Sequence, residues 1–196
     1  MLLMKDIIRE DNPIIRKKCE NVEIVNGKLT PEDEQHMKDM IEYIVNSQDD
    51  ELCDKYGLRP GVGLAAPQIG LSKKMLVILS YDEAGDVHFY PMVNPKLISY
   101  SEEKTYLDCG EGCLSVDREV HGFVHRAKRV TVETYLYDKG KLKQVKLRLQ
   151  GYIAIVFQHE YDHLNGKLFV DHINKENPFY IPANSTPVKF VDEDEE

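Results

Sequence analysis

The middle of the chain alternates apolar and polar residues with a period of two, and this pattern constrains the fold more than any other feature. Five segments show the alternation and are predicted to be strands: 75–79, 87–93, 96–100, 130–137 and 142–149. In the last of them Leu147 and Leu149 alternate with Lys146 and Arg148, so one face of the sheet is solvated. Such sheets are commonly antiparallel, and the Asp-Lys-Gly segment at 138–140 has the composition of a hairpin turn. We therefore predict a mostly antiparallel sheet.

Two segments with helical periodicity flank the predicted sheet. An N-cap threonine followed by proline opens the first helix, predicted over about 31–47 from apolar residues at helical spacing. Gly151 ends the last strand, and residues 152–164 return to helical character before Asn165 and Gly166 stop it. The predicted fold class is α+β, with mostly antiparallel β-sheets packed around the late helix and one N-terminal helix.

Length and charge bound the domain organisation and exclude several classes of partner. The 196 residues predict one domain over 1–196, with a short acidic tail at about 191–196 that we expect to be solvated. The formal charge of -9 argues against a DNA-binding surface. No apolar run approaches the roughly 20 residues that span a bilayer, and charges interrupt the N-terminal segment before a signal-peptide core could form. Four scattered cysteines do not suggest a secreted disulfide framework, so we expect a cytoplasmic protein without a membrane partner.

The predicted late helix contains an H-E-x-x-H motif formed by His159, Glu160 and His163. Residues four apart lie on one face of a helix, so the two imidazoles can share a divalent metal ion. The Glu160 carboxylate lies next to the first imidazole and can act as a general base on a water molecule there. The alternative is a polar helix face that matches the motif by chance.

Two histidines are half of a metal site, and the strongest further ligand lies upstream at Cys113. Gly110 and Gly112 flank it and would let the backbone approach a site closely. A Cys-His-His set leaves the fourth tetrahedral position open. A simple buried thiol explains this cysteine equally well. A second alternative pairs Cys109 with Cys113 in a closed, structural Cys2His2 zinc site, which would have no use for Glu160.

The segment 61–70, GVGLAAPQIG, places small residues where the backbone could face a ligand, together with the amide side chain of Gln68. Its G-x-G-x-x-A pattern matches part of a dinucleotide fingerprint, which requires a preceding strand and a helix opening directly after it. Residues 55–60 do not have strand character, and Pro67 interrupts any helix. We therefore do not predict nucleotide binding.

Taken together, the three stretches GVGLAAPQ, EGCLS and QHEYDHL resemble the signature of the peptide deformylase family, in the longer type common in Gram-positive bacteria. The resemblance implies a metal-dependent hydrolase that removes the formyl group from the N-terminal formyl-methionine of newly synthesised polypeptides and releases formate. It also implies one divalent metal ion, Fe²⁺ in the cell, for which Zn²⁺, Ni²⁺ or Co²⁺ can substitute. The alternative within the same chemistry is a different metallohydrolase, such as an amidase or peptidase.

The resemblance also implies roles for individual residues. Cys113, His159 and His163 match the metal ligands, and Glu160 matches the catalytic acid and base. Three further positions match groups that bind substrate or the developing oxyanion: Gln68, the backbone N–H of Leu114, and the backbone around Gly63 that pairs with the substrate.

The methionine side chain of such a substrate needs an apolar pocket beside the metal. Tyr152, Ile155 and Val156 stand seven, four and three residues before His159, on the same face of the predicted helix. Val62 is expected to add a wall and Gly112 to border the substrate, although all of these apolar residues could equally belong to the core.

Two features depart from the family pattern. Cys109 is not specified by the motif, and beside the site it could oxidise with Cys113 or bind a stray metal. Some relatives dock on the ribosome through a basic C-terminal helix, whereas this chain ends in the acidic run 191–196, which ribosomal RNA would repel. The predicted partner is therefore the formyl-methionyl nascent peptide, and the acidic tail argues against docking on the ribosome.

Overall fold

The computed structural model describes residues 1–190, which contain three α-helices and eight β-strands. The helices are α1 (Pro31–Ser47), α2 (Asp50–Tyr56) and α3 (Gly151–Leu164). The strands are β1 (Gly63–Ala65), β2 (Met75–Tyr81), β3 (Val87–Tyr100), β4 (Lys104–Tyr106), β5 (Arg126–Ala127), β6 (Arg129–Asp138), β7 (Lys141–Gln150) and β8 (Ser185–Pro187). Both predicted helices are present, and the α+β class is confirmed.

The larger sheet has five strands in the order β1-β2-β3-β6-β7, and every neighbouring pair is antiparallel. Its longest regular pairing runs from Arg129 opposite Gln150 to Asp138 opposite Lys141. The predicted turn lies between these two strands, with Lys139 and Gly140 both at positive φ. This is the backbone of a tight hairpin turn, whose twist matches that of the strands it joins.

Strand β3 joins two segments that the sequence predicts as separate strands. Asn94, between them, has a φ of 51°, and the pairing with β6 changes register between Val93 and Lys96. The Asn94 side chain accepts a hydrogen bond from the Val22 N–H at 2.7 Å and donates to the Val22 carbonyl at 2.9 Å. Asn94 therefore stabilises an irregularity within one strand, at the gap between the two predicted segments.

The sequence pattern does not predict the short helix α2, the edge strand β1 or the strands of a second sheet. The short helix α2 begins after Asp49, whose side chain accepts the Leu52 N–H at 2.9 Å, and Gly57, with a φ of 59°, caps its C-terminal end. Its seven residues are too few to show a clear apolar period. The second sheet has the order β5-β4-β8, and β8 pairs in parallel with β4.

The core lies on both faces of β2, which α1 and α3 cover from opposite sides. Met75 and Val77 join the apolar cluster that contains α1, whereas Leu76 and Ile78 join the cluster that contains α3. Helix α3 is therefore held against the sheet, and the motif on its second half is fixed relative to β1 at the sheet edge. Gly151 opens α3 rather than ending the strand before it.

The acidic tail predicted at 191–196 lies outside the described residues. Within residues 1–190, none of the helices combines the length and the apolar character needed to cross a membrane.

Candidate metal centre and active site

Helix α3 begins at a cap supplied by a distant loop. The Glu83 carboxylate, in the turn between β2 and β3, accepts the Tyr152 N–H at 2.9 Å, and a carboxylate is favourable at this positive end of a helix. Gly151 has a φ of 55°, and a Cβ atom there would overlap the Glu83 carboxylate. The start of the helix that contains the H-E-x-x-H motif is thereby tied to the sheet.

The two imidazoles of that motif meet the thiol of Cys113 in one buried cluster. Ligand atoms of Cys113, His159 and His163 all lie within 4.8 Å of one another. The sulfur is 3.4 Å from Nε2 of His163. A tetrahedral ion with ordinary metal–ligand bond lengths sets sulfur and nitrogen ligands about 3.5 Å apart, so the donors fit a metal that keeps one position open.

The cluster itself favours the ionised thiol that a metal ligand requires. Burial alone would raise the pKa of Cys113, but the positive charge of His163 and hydrogen bonds from both imidazoles hold it well below its usual value. A thiolate is the form of cysteine that binds metal. Cys109, by contrast, is exposed and does not belong to the cluster, so the closed Cys2His2 alternative is wrong.

A buried ionic network orients His159 from behind. Nδ1 of His159 lies 2.8 Å from Glu111, which leaves Nε2 for the metal side. Glu111 in turn accepts two hydrogen bonds from Arg126, at 2.6 and 3.0 Å, and Arg126 also donates to Asp162 at 2.8 Å. His172 completes the chain with a contact of 2.7 Å to Asp162. Such partners fix the ring orientation and tautomer of a metal-binding histidine.

The charges in this network are strongly coupled. Burial would raise the pKa of Glu111, but the adjacent Arg126 and the hydrogen bond from His159 lower it to about 2. Sequence reasoning missed all four outer residues. Glu111 and Asp162 lie within the motifs EGCLS and QHEYDHL, so their positions could have indicated a role. No motif surrounds Arg126 or His172.

Glu160 is buried beside the cluster and faces β1. A Cβ atom at Gly63 would overlap its carboxylate, and its Oε2 has no hydrogen-bond partner in the described part of the chain. Burial raises the pKa of Glu160 above its ordinary value. A raised pKa suits a group that takes up and returns a proton near neutral pH.

Gln68 and Leu114 border the same cluster. The Ala65 N–H donates to Oε1 of Gln68 at 2.8 Å, which turns the Gln68 amide nitrogen towards Cys113, 3.6 Å from its sulfur. The Leu114 carbonyl accepts a hydrogen bond of 2.5 Å from Arg9, which anchors the backbone at Leu114. Within residues 1–190, the Leu114 N–H is not among the donors of a hydrogen bond.

A cavity of about 320 Å³ opens onto this cluster. Every residue that the sequence analysis assigned to substrate binding lines it: Val62, Gly63, Gly112, Tyr152, Ile155 and Val156. Cys113, His159, Glu160, Gln68 and Leu114 line it as well. His163 is the fully buried third member of the triad.

The cavity also has lining residues that the sequence analysis did not identify, among them Gln48, Arg59 and Leu107. Gln48, just after α1, donates hydrogen bonds of 2.8 Å to the carbonyls of both Gly61 and Leu79. It therefore fixes the approach to β1 against β2. No motif surrounds Gln48 in the sequence, and only the fold brings it to the cavity.

An α+β fold that buries a thiol and two imidazoles beside a carboxylate, at the base of a cavity, defines a class of metal-dependent hydrolases. The family model for polypeptide deformylase matches residues 4–179, and the chain belongs to that family. The resemblance stated from the three motifs is thus confirmed. The family is one of enzymes that remove the N-formyl group from nascent peptides.

Curated relatives match along almost the whole chain. A protein from Bacillus cereus named peptide deformylase 2 is 54% identical over 189 residues, which cover 96% of this chain and 100% of the relative. A peptide deformylase from Shouchella clausii is 54% identical over 183 residues, covering 93% of this chain and 97% of the relative.

Solved structures show the same fold. A probable peptide deformylase from a Synechococcus phage superposes with a TM-score of 0.64 at 37% identity, covering 85% of this chain and 97% of the other. The class I type b peptide deformylase from Acinetobacter baumannii, solved with Met-Ala-Ser bound, gives a TM-score of 0.65 at 29% identity over 85% and 96% of the two chains.

Proposed function

We propose that this protein hydrolyses the N-formyl group of formyl-methionyl nascent peptides at one divalent metal ion held by Cys113, His159 and His163. The observation that supports the proposal best is the buried triad with the Glu160 carboxylate beside it at the base of the cavity. A thiolate and two imidazoles suit ferrous iron, which we propose as the ion in the cell, and equally accept Zn²⁺, Ni²⁺ or Co²⁺. When bound, such an ion supplies Lewis-acid polarisation and lowers the pKa of water.

Glu160 is the proposed acid and base of the reaction. Its carboxylate is buried and has no hydrogen-bond partner on Oε2 within residues 1–190, so that oxygen is available to accept a proton from the attacking water. The raised pKa lets the protonated form persist long enough to return that proton to the departing amine. The formyl carbon becomes formate, and the peptide leaves with a free amino terminus.

Gln68 and Leu114 are the proposed donors to the developing oxyanion. The Gln68 amide nitrogen is directed to the Cys113 side of the cavity because its oxygen is occupied by Ala65. The Leu114 N–H follows the cysteine directly in the chain. Fixed donors of this kind stabilise negative charge as it forms, without rearrangement during the reaction.

The peptide substrate is proposed to pair with the free edge of β1 at Gly63. Strand β1 is an outer strand of the five-stranded sheet and pairs only with β2 among the described strands. An extended peptide can add to such an edge through backbone hydrogen bonds. Four apolar residues of the cavity would then enclose the methionine side chain, with Gly112 beside the peptide: Val62, Tyr152, Ile155 and Val156.

The test is formate release from formyl-Met-Ala-Ser, with protein purified anaerobically and loaded with ferrous iron. We expect Glu160→Ala to bind the same amount of metal and to release formate at least about 1,000-fold more slowly, in line with the loss of a general acid and base. No release from metal-loaded wild-type protein would overturn the proposal. Release of acetate from acetyl-Met-Ala-Ser, or cleavage of unformylated Met-Ala-Ser, would indicate a different metallohydrolase.

Because its proposed substrates are nascent peptides, we propose that the enzyme acts in the cytoplasm. We propose that the enzyme acts on exposed peptide ends without using residues 191–196 to dock on the ribosome, because this run contains five acidic residues and no basic one. Co-sedimentation with ribosomes, compared between the full chain and a chain ending at residue 190, tests this. Loss of co-sedimentation on truncation would contradict it.

A further inference from the structure

The C-terminal segment returns to the rim of the cavity, beyond the part of the chain that the family model covers. That match ends at residue 179, whereas β8 begins at Ser185. The Thr105 hydroxyl donates to the Thr186 carbonyl at 2.9 Å, and the Val188 N–H donates to the Tyr106 carbonyl at 2.9 Å. Since Leu107 follows Tyr106 and lines the cavity, this segment runs beside the strand that leads to the rim.

Phe190 then packs on a second rim residue, Tyr152. The two rings meet edge to face, with centroids 5.2 Å apart and an interplanar angle of 74°. Tyr152 lines the cavity, and its backbone N–H is held by Glu83. The backbone of Tyr152 is therefore fixed by the sheet side of the molecule, and its ring packs against the C-terminal segment.

We propose that Phe190 determines how well the enzyme binds the methionine side chain, because it holds the Tyr152 ring as one wall of the pocket. This inference rests on the proposed function. Phe190 does not line the cavity itself, so it is a positioning residue that acts through Tyr152. Without it, the Tyr152 ring gains rotational freedom, and the pocket must order the ring each time a side chain binds.

We expect removal of the Phe190 ring to weaken substrate binding and to leave the chemical step unchanged. Tyr152 lies near the start of α3, two turns before His159 and Glu160, and Phe190 contacts Tyr152 without lining the cavity. An interaction that is equal in the ground state and the transition state changes KM and leaves kcat unaltered. Edge-to-face aromatic pairs support an effect of about three- to tenfold.

A matched control exists in the same region of the chain. Phe179 is also about half exposed, at 56% against 51% for Phe190, and also packs edge to face on one ring, that of Phe123, at 5.3 Å. Neither Phe179 nor Phe123 lines the cavity. Phe179→Ala therefore removes a similar surface aromatic contact without touching the proposed pocket.

The experiment compares Phe190→Ala, Phe190→Leu and Phe179→Ala on two substrates, formyl-Met-Ala-Ser and formyl-Ala-Ala-Ser. We expect Phe190→Ala to raise KM for the methionine substrate about three- to tenfold with kcat within about twofold, and to leave the alanine substrate unchanged. Phe190→Leu should restore part of the loss, and Phe179→Ala should behave as wild type. In a Tyr152→Ala background, the effect of Phe190→Ala should vanish.

Three kinetic results would overturn the inference: a KM for Phe190→Ala equal to wild type, an equal rise for both substrates, or an undiminished effect in the Tyr152→Ala background. Calorimetric titration of metal-loaded protein with Met-Ala-Ser gives a readout without turnover. If wild-type protein releases no formate, the proposed function fails, and weaker Met-Ala-Ser binding by Phe190→Ala still supports the inference. Unchanged Met-Ala-Ser binding by Phe190→Ala overturns it whatever the wild-type activity.

Discussion

Gly63 on β1 and Glu160 on α3 lie in direct contact, so close that a Cβ atom on Gly63 would overlap the Glu160 carboxylate. The edge strand proposed to pair with the substrate is therefore in contact with the group proposed to move the proton. Because no side chain separates them, the peptide backbone and the carboxylate can share one reacting centre. This relationship explains why a glycine stands at the beginning of β1.

Gly63→Ala is expected to lower kcat/KM about 100-fold, because displacement of a catalytic group by about 1 Å costs a factor of that size. The three atoms nearest to the added methyl group all belong to Glu160, so the substitution acts first on that carboxylate. Formate release and metal content measured on the same preparation check this. Full activity would mean that Glu160 has room to move, and loss of metal would mean that the substitution disturbs α3 as a whole.

Metal binding is expected to depend on Cys113 and to be independent of Cys109. The first is a buried member of the triad, and the second is exposed with its thiol directed to the Gly110 carbonyl. Cys113→Ser should therefore lose bound iron or zinc by at least about tenfold in affinity, as for loss of a ligand or its support. Cys109→Ser should bind metal as wild type does. Elemental analysis and competition with a chelator distinguish the two, and an equal loss in both variants would contradict this assignment of the ligands.

Glu111→Gln is expected to destabilise the metal-free protein by about 3 kcal/mol at pH 7, because it breaks a buried ion pair with Arg126. The folded-state pKa of Glu111 is lowered to about 2, so its ionised form contributes stability above its ordinary pKa near 4.5. That contribution is lost as the pH falls from about 5 towards 2. Urea unfolding of both proteins over this range should show their difference in stability shrinking with acid.

The exposed pair between Glu10 and Arg118 provides the control for this experiment. Glu10→Gln removes a carboxylate from a pair whose arginine side chain is 56% exposed, and such pairs contribute less than about 1 kcal/mol. A difference between wild type and Glu111→Gln that stays constant from pH 7 to pH 3 would contradict the lowered pKa.

Gly151→Ala is expected to destabilise the fold more than Gly57→Ala, by roughly 1–3 kcal/mol beyond the cost of the backbone conformation. The two glycines have nearly the same φ, 55° and 59°, but only at Gly151 would a Cβ atom meet another group, the Glu83 carboxylate. Thermal unfolding measures both. Adding Glu83→Ala to Gly151→Ala should recover part of the loss, and no recovery would mean that the overlap with Glu83 does not cause it.

Much of the architecture could be predicted because it depends on local patterns. The period of two at β2, β6 and β7 predicts strands with defined faces, and the structure pairs them antiparallel as expected. The apolar spacing and the threonine–proline cap predict α1 over about 31–47, and the helix is observed at Pro31–Ser47. Patterns fail where the element is short or the partner is distant, as at α2 and in the parallel pairing of β8 with β4.

The sequence by itself determined that His159 and His163 lie together, because a helix places residues four apart on one face. It identified Cys113, Glu160 and Gln68 through their motifs. Only the tertiary structure decided which side chains lie behind the residues that line the cavity: Arg126 and Glu111 behind His159, and Phe190 against Tyr152. The pairs Glu111–Arg126 and Tyr152–Phe190 are 15 and 38 positions apart in the chain. Side chains at such separations meet only where strand pairing and helix packing bring them together, and the local pattern of apolar residues contains no information about those contacts.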